Sequence, residues 1–474
     1  LRKINAAALL GYYIFFLFAV LLLLAGFATP VMENHRVILA GVIAFCPAAY
    51  YLNSTITGAM LHLSDKKRLF LLLCVCFTVK LSWVFIFRIR PETDYKMFFD
   101  TASDLSRRLV IDNRYVALFP HIMGYALFLS AFFSVFGVHY LLPPVINAVL
   151  SVMSMALLYD ICRRLFGRET AVTAALLWTA FPSQTIFNMM ALSEPLYCTL
   201  LLAIWALLVF FYTKRAPLTA GRIVLMALAQ SALLVLFNMT RPLAVVQIAA
   251  FTAWLLFVDR APARKDAGRE KVVFLALTLA FYGVFSLAAN QYITLRLGEK
   301  PAGLPGYSLY VGFNADSRGA YNERDARLLS SYNSRAGWSA DRVQRQMYRD
   351  ALEKLKSGGI NYPRLFYDKY LVLLGDDSSA VYYAQSVLRH SRHLATASNI
   401  FYFSAVVFAL IGAVRAMRTN DTSPLFMVCL FAVGLILAQL LVEVAGRYHY
   451  AVAVSFLIPA AFGLNGSSKQ KADF

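Results

Sequence analysis

Twelve stretches of this chain are apolar over roughly the length that crosses a bilayer: 8–28, 37–52, 69–88, 142–162, 171–190, 193–212, 221–237, 242–258, 271–291, 396–416, 422–442 and 449–464. About 20 mainly apolar residues are needed to cross the hydrocarbon core, and inside it only helices satisfy their own backbone. The pattern therefore predicts an all-α, polytopic membrane protein. Composition agrees: 59% of the 474 residues are apolar and 15% are charged, against about 45–50% and about 25% in soluble domains. This excludes a soluble globular enzyme, a disordered chain and a nucleic-acid-binding module. The net charge of +19 then reads as Lys and Arg retained on the cytoplasmic side. The first run is too long for a leader and is expected to be a retained anchor. No sizeable soluble domain is expected after the last span. The six cysteines lie in or at the ends of apolar runs, without metal-ligand spacing, and read as fillers.

A thirteenth apolar run, 121–136, is resolved by charge parity. With Arg2 and Lys3 inside, the loop Asp65-Lys66-Lys67-Arg68 is inside and 89–118 is outside. If 121–136 crossed, Arg163, Arg164 and Arg168 would face outside. If it lies along the outer surface, or dips in and back, those arginines are inside. So then are Lys214, Arg215 and Arg222, the basic stretch Arg260 to Lys265, and Arg415 with Arg418. The expected organisation is about twelve spans with both termini cytoplasmic. Residues 1–88 are N-terminal spans, 89–141 an outer loop with surface-lying helices, and 142–291 a transmembrane core. Residues 292–395 form a mixed outer segment, helical between Glu323 and Leu355, and 396–474 the last spans and a short cytoplasmic tail.

Ionisable residues at span ends gather on the outer side. Asp94 follows the third span at the start of an amphipathic helix; Thr93 or Asp94 can be a plain helix cap. Glu194 stands between two spans joined almost without a loop, where Ser193 or Glu194 can cap the next helix and Pro195 suits its first turn. Arg241 precedes Pro242, and Glu443 precedes Gly446-Arg447-Tyr448-His449. A lone arginine at a membrane edge ordinarily snorkels to headgroups. Two arginines and two acids on one face fit a shared anion-handling site better, because the guanidinium fork suits phosphate. The remaining histidines show no metal-ligand spacing, and there is no Walker, Rossmann, zinc-helix or nucleophile-elbow pattern.

In order along the chain come Asp94-Tyr95, Phe119-Pro120-His121, Phe136-Gly137, Asn147, Arg163-Arg164-Leu165-Phe166-Gly167, Phe181-Pro182-Ser183 and Leu192-Ser193-Glu194. Thr240-Arg241-Pro242, Tyr310 to Asn314, Gly319, Tyr321-Asn322 and Gly446-Arg447-Tyr448-His449 follow. From residue 69 to residue 464 this series resembles the GT-C superfamily of lipid-linked-sugar glycosyltransferases. It is most similar to the bacterial relatives of protein O-mannosyltransferases and of the lipid A aminoarabinose transferase. Each motif is loose; their order carries the resemblance.

The resemblance implies transfer of a sugar from a polyprenyl-phosphate carrier to a glycan, lipid or protein acceptor, on the extracytoplasmic face of the cell membrane and with inversion. It implies Asp94 as general base, with Tyr95, Glu194 and Glu443 in support. Arg241 and Arg447 would bind the donor phosphate, with His121, His449 and Lys369 as second choices. Two departures stand out. Two spans precede the one leading to Asp94, which leaves the role of 1–55 open. Tyr95 replaces a second acid, so no metal or other cofactor is indicated and metal dependence stays open. A transporter or flippase for a lipid-linked sugar is the alternative; it lacks support from inverted repeats or mid-span acids. A scaffold role has no positive feature.

Overall fold

The computed structural model describes residues 5–28, 34–214, 218–259 and 267–465. Arg2, Lys3, Arg215, the stretch 260–265 and the tail after 465 lie outside the described residues. Among the described residues there is no strand; the chain is a series of helices. The first three are α1 (Ala6–Ala28), α2 (His35–Leu61) and α3 (Asp65–Ile86). Next come α4 (Thr93–Arg107), α5 (Arg114–Leu118) and α6 (Ile122–Phe136), then α7 (Leu142–Phe166), α8 (Arg168–Ala180), α9 (Pro182–Phe187) and α10 (Glu194–Thr213). They are followed by α11 (Ala220–Thr240), α12 (Ala244–Ala253), which runs into a π-helical turn at Trp254–Val258, and α13 (Ala267–Leu297). The segment expected outside holds α14 (Gly306–Gly312), α15 (Glu323–Asn333), α16 (Ala340–Lys356), α17 (Tyr362–Leu374) and α18 (Ser379–Tyr383). The chain closes with α19 (Ser391–Thr419), α20 (Leu425–Leu441), a 3₁₀ turn at Gly446–His449 and α21 (Tyr450–Leu464).

Among the described residues, eight helices are long and apolar enough to cross a membrane: α1, α2, α3, α7, α10, α11, α13 and α19. The four other expected spans are α8 with α9, α12 with its π turn, α20 and α21, and each is short. At 1.5 Å per residue, 13 to 17 residues rise only about 20–26 Å, less than the ~30 Å core. In one of them the remainder is irregular backbone packed inside protein, a setting in which a bilayer tolerates it.

The run 171–190 shows how. The continuous helix expected there stops at Ala180, because Pro182 cannot continue it. Residues 181–194 then run as the short α9 and a loop, almost wholly buried. The freed carbonyls are met by Lys80, a fully buried residue of α3. Its ammonium donates to Trp178 O at 3.2 Å, Thr179 O at 3.3 Å and Thr185 Oγ1 at 2.6 Å.

The helix ends sort into two groups. At one end Asp65 pairs with Arg68, Arg163 and Arg168, Asn5 donates to Asn420 Oδ1 and Val258 O, Trp254 donates to Thr422 O, and Arg415 donates to Phe462 O. We call this the basic end. The other, the loop end, joins Asp94 to Arg447, Glu194 to Arg241 and Arg114 to Glu299. Arg392 there donates to Asn34 Oδ1, and Glu443 N to Ser308 O.

Helix α6 starts at the loop end, where Gly124 lies tight against the backbone of Met239 and Thr240. Tyr125 there reaches Asn147 in the first turns of α7. Residues 137–141 connect α6 to α7 and stretch at most about 18 Å. They cannot return through a ~30 Å core, so α6 does not cross. Its buried face (Ile122, Tyr125, Ala126, Leu129, Phe133) has helical spacing. The short helices of the loop end begin at side chains suited to it. Asn113, Asn322, Ser339 and Asn361 each accept a bond from the backbone N–H three residues on.

Candidate active site

Asp94 lies inside the first turn of α4 rather than at its cap; the cap position is Glu92, whose side chain makes no capping bond. Its side chain is 51% exposed, and Oδ2 is 2.7 Å from Nη1 of Arg447, which is 13% exposed. Arg447 belongs to the 3₁₀ turn before α21, and its guanidinium stacks against the rings of Tyr383 and Tyr448, both 5.5 Å away. Among the described residues no acceptor lies along the N–H directions of its Nε and Nη1. Burial alone would lower the guanidinium pKa, but Tyr448, Glu194, Tyr383 and Asp94 together hold it above the usual arginine value.

A second pair lies beside the first. Arg241, just past the end of α11, donates from Nη2 to Glu194 Oε1 at 2.5 Å, and its guanidinium covers the other end of Tyr448's surroundings, 5.2 Å from that ring. Glu194 is 2% exposed, and its Oε2 has no hydrogen-bond partner among the described residues. Ser193 precedes α10 without capping it. One tyrosine ring therefore touches both arginines, which are 206 residues apart in sequence, and each arginine faces a carboxylate. A guanidinium held against an aromatic face in a partly dry site is attracted to it without losing its in-plane donors.

The supporting residues divide. Glu443, just past α20, feels both Asp94 and Arg447. Burial lifts its carboxyl from 4.5 to about 7, Arg447 lowering it and Asp94 raising it. Tyr95 points away from its neighbour into the core. His121 is near both arginines; burial, then Arg241 and Arg447, push its imidazole down to about 3, so it is a neutral group there and not a further cation.

The structure corrects the expectation for His449 and Lys369 as phosphate ligands. His449 Nδ1 lies 3.0 Å from Leu373 O and Nε2 lies 2.7 Å from Asp377 Oδ1, with Tyr402 stacked on the ring. A carbonyl only accepts, so Nδ1 carries a proton and donates it. The proton between Nε2 and Oδ1 completes a buried pair, and both ring nitrogens are occupied. Lys369, fully buried, donates to Gly312 O at 2.8 Å and Val442 O at 2.7 Å. It ties α14 to the strand-like stretch ahead of Glu443, and burial lowers its ammonium to about 7. Both residues shape the turn that presents Glu443 and Arg447 instead of meeting a ligand.

Asp377 and Lys80 do not stand out in the sequence as site residues. The second aspartate of a Gly-Asp-Asp loop reads as exposed, whereas a lysine inside an apolar run is a usable signal. Among the described residues no three His, Cys, Asp or Glu side chains converge as a metal site.

Residues 120–288 match a family model described as dolichyl-phosphate-mannose-protein mannosyltransferase; the stretch holds His121, Glu194 and Arg241 but neither Asp94 nor Arg447. A sequence comparison with curated proteins gives no match. Among solved structures, the chain is similar to the Archaeoglobus fulgidus oligosaccharyltransferase in complex with Zn and sulfate. The TM-score is 0.50 at 12% identity, over 83% of this chain and 48% of that one. It is also similar to AglB of the same organism with an inhibitory peptide and a dolichol-phosphate (TM-score 0.46, 13% identity, 84% and 50% covered). A third similar structure is ArnT from Cupriavidus metallidurans bound to undecaprenyl phosphate (TM-score 0.34, 13% identity, 84% and 78% covered). The chain spans about half the length of the oligosaccharyltransferases it matches. The first of these structures, with a TM-score of 0.50, shows that the chain shares the membrane fold of that oligosaccharyltransferase.

Proposed function

We propose that this protein transfers a sugar from a polyprenyl-phosphate carrier to an acceptor hydroxyl at the loop end, and that this end faces away from the cytoplasm. The observation that carries the reading is the pairing of a half-exposed carboxylate, Asp94, with a largely buried arginine, Arg447, whose Nε–H has no acceptor among the described residues. An acceptor can approach Asp94 from solvent, while a phosphate can reach Arg447 and Arg241 from the membrane side. The family match and the carriers named in the AglB and ArnT structures support a polyprenyl phosphate as the leaving group.

In the proposed step the acceptor oxygen attacks the anomeric carbon, and its proton passes to Asp94. The new C–O bond forms as the bond from that carbon to the phosphate oxygen breaks, and the configuration inverts. The electron pair leaves on the lipid phosphate, whose growing charge is met by Arg447 and Arg241. His121, neutral, can contribute one N–H. Glu443 adds negative charge near Arg447 when it is ionised. Asp94→Asn keeps the shape and loses the base, so transfer should fall by ~10²–10⁴ with unchanged protein yield. Wild-type transfer rates in that variant would remove Asp94 from the role.

The orientation is tested with single cysteines at Ser331, in α15, and at Thr419, at the basic end, in a chain without its six native cysteines. An impermeant thiol reagent applied to intact cells should label the first and spare the second. The opposite labelling would place the site in the cytoplasm.

A further inference from the structure

Two cavities follow one another along α2. The upper is a polar cleft of about 390 Å³ at the loop end, with Asn34, Asp376, Tyr382, Gln385, Arg392 and Asn399 in its wall. Below it, Leu39, Val42 and Ile43 of α2, with Leu23 and Leu24 of α1, line an apolar groove of about 620 Å³. Ile38 lines the cleft and Leu39 the groove, so the change from polar to apolar falls within one turn of α2.

The cleft is built. Asn399 donates to Asp376 at 2.7 Å, and Arg392 donates to Asn34 Oδ1 at 3.0 Å, joining α19 to the start of α2. Asn399 is taken up by Asp376, Ala395 O and Asp377 N, and Asp376 also accepts from Ser378. The groups the cleft presents are therefore the remaining acceptor sites of Asp376, the exposed Gln385 amide, the Arg392 guanidinium and, on the rim, the Tyr382 ring, which is 65% exposed. Hydroxyl-rich rings both donate and accept hydrogen bonds and carry apolar C–H faces, which this mix of groups and an open aromatic ring can meet. The cleft also shares walls with the candidate active site. Asp376 faces the cleft while Asp377 holds His449; Tyr382 faces the cleft while Tyr383 stacks on Arg447.

We propose that cleft and groove together bind a lipid-anchored saccharide, with its sugar among Asp376, Tyr382 and Gln385 and its chain between α1 and α2, as the acceptor. This rests on the transferase reading. It also gives the two early spans a role, since they complete a second lipid site, across α18 from the one that holds the donor phosphate.

The test uses the full chain in lipid nanodiscs and two series of probes, the methyl and the dodecyl glycosides of glucose, galactose and mannose. Binding is measured without any donor, with dodecyl concentrations expressed per lipid. At least one sugar should bind, at least tenfold tighter as the dodecyl glycoside. Tyr382→Ala and Gln385→Ala remove exposed side chains and should weaken both forms about tenfold. Ile43→Trp, at a groove residue that is 66% exposed, should abolish the gain from the chain and leave the methyl glycoside unaffected. No binding to the wild type, or affinities unchanged in all three variants, would overturn the proposal, provided that thermal melting shows the variants folded. Glycoside binding without transfer from any polyprenyl-phosphate sugar would overturn the transferase reading alone. Transfer to other acceptors with no glycoside bound would overturn this site alone.

Discussion

The break between α8 and α9 and the turn between α20 and α21 both bury cations in the membrane protein's interior, yet they differ in what the cations touch. Lys80 meets two backbone carbonyls and a hydroxyl, all fixed parts of the fold. Arg447 meets a carboxylate and two aromatic rings and keeps N–H groups without acceptors. A buried charge is costly wherever it lies. Where every donor is satisfied, the charge serves the backbone. Where a donor is left over beside a solvent-open acid, the charge is open to an incoming anion, as the proposed function requires.

That contrast breaks most visibly at Arg241. Removing it strands Glu194, which is 2% exposed, and an uncompensated buried charge costs about 3–5 kcal/mol. Arg241→Ala should therefore lower the yield of folded protein and its melting temperature. Adding Glu194→Gln should restore most of the stability but not the transfer, which a purely structural pair would not do.

Lys80→Met should cost about 1–3 kcal/mol for carbonyls left unpaired, seen as a lower melting temperature. Turnover per folded molecule should stay near wild type; a large loss of kcat in well-folded protein would mean that the α8–α9 break does more than hold the fold. Arg447→Lys is the converse case. The charge stays and the fork is lost, so stability should hold while transfer falls about tenfold, an effect of ~1.4 kcal/mol. Full activity measured at limiting donor would return Arg447 to a headgroup-anchoring role.

The smallest effect concerns Glu443. Burial raises its carboxyl to about 7, so the fold favours the protonated form. That contribution to stability is fully present below the ordinary value of 4.5 and is lost as pH rises through about 7. Above that pH the added negative charge opposes a phosphate beside Arg447. The apparent donor KM should rise between about pH 6 and 8 in the wild type, and Glu443→Gln should flatten the rise. A profile identical in the two proteins would exclude Glu443 from the neighbourhood of the donor.

Much of the fold is legible in the sequence because a bilayer leaves few options. Charge parity alone keeps 121–136 from crossing, and the short 137–141 connection gives the physical reason. Asp94, Glu194, Arg241 and Arg447 can be grouped because the parity of the spans puts these span-end residues on one side. What escapes is whatever depends on a partner far away in sequence. The carbonyls that hold Lys369, and the aspartate that holds His449, lie in segments whose approach only the fold determines. The interruption at Phe181-Pro182 is readable in principle, but the apolar run on both sides masks it.

Helix α13 has 31 residues, about 46 Å of helix, against a core of ~30 Å. It stands mostly exposed at the edge of the bundle, and is long enough to span the core with some tilt. Its last turn is not free of the site. Arg296 donates to Leu105 O and Arg108 O, at the end of α4. The helix most open to the surrounding lipid is thus fastened to the helix that carries Asp94.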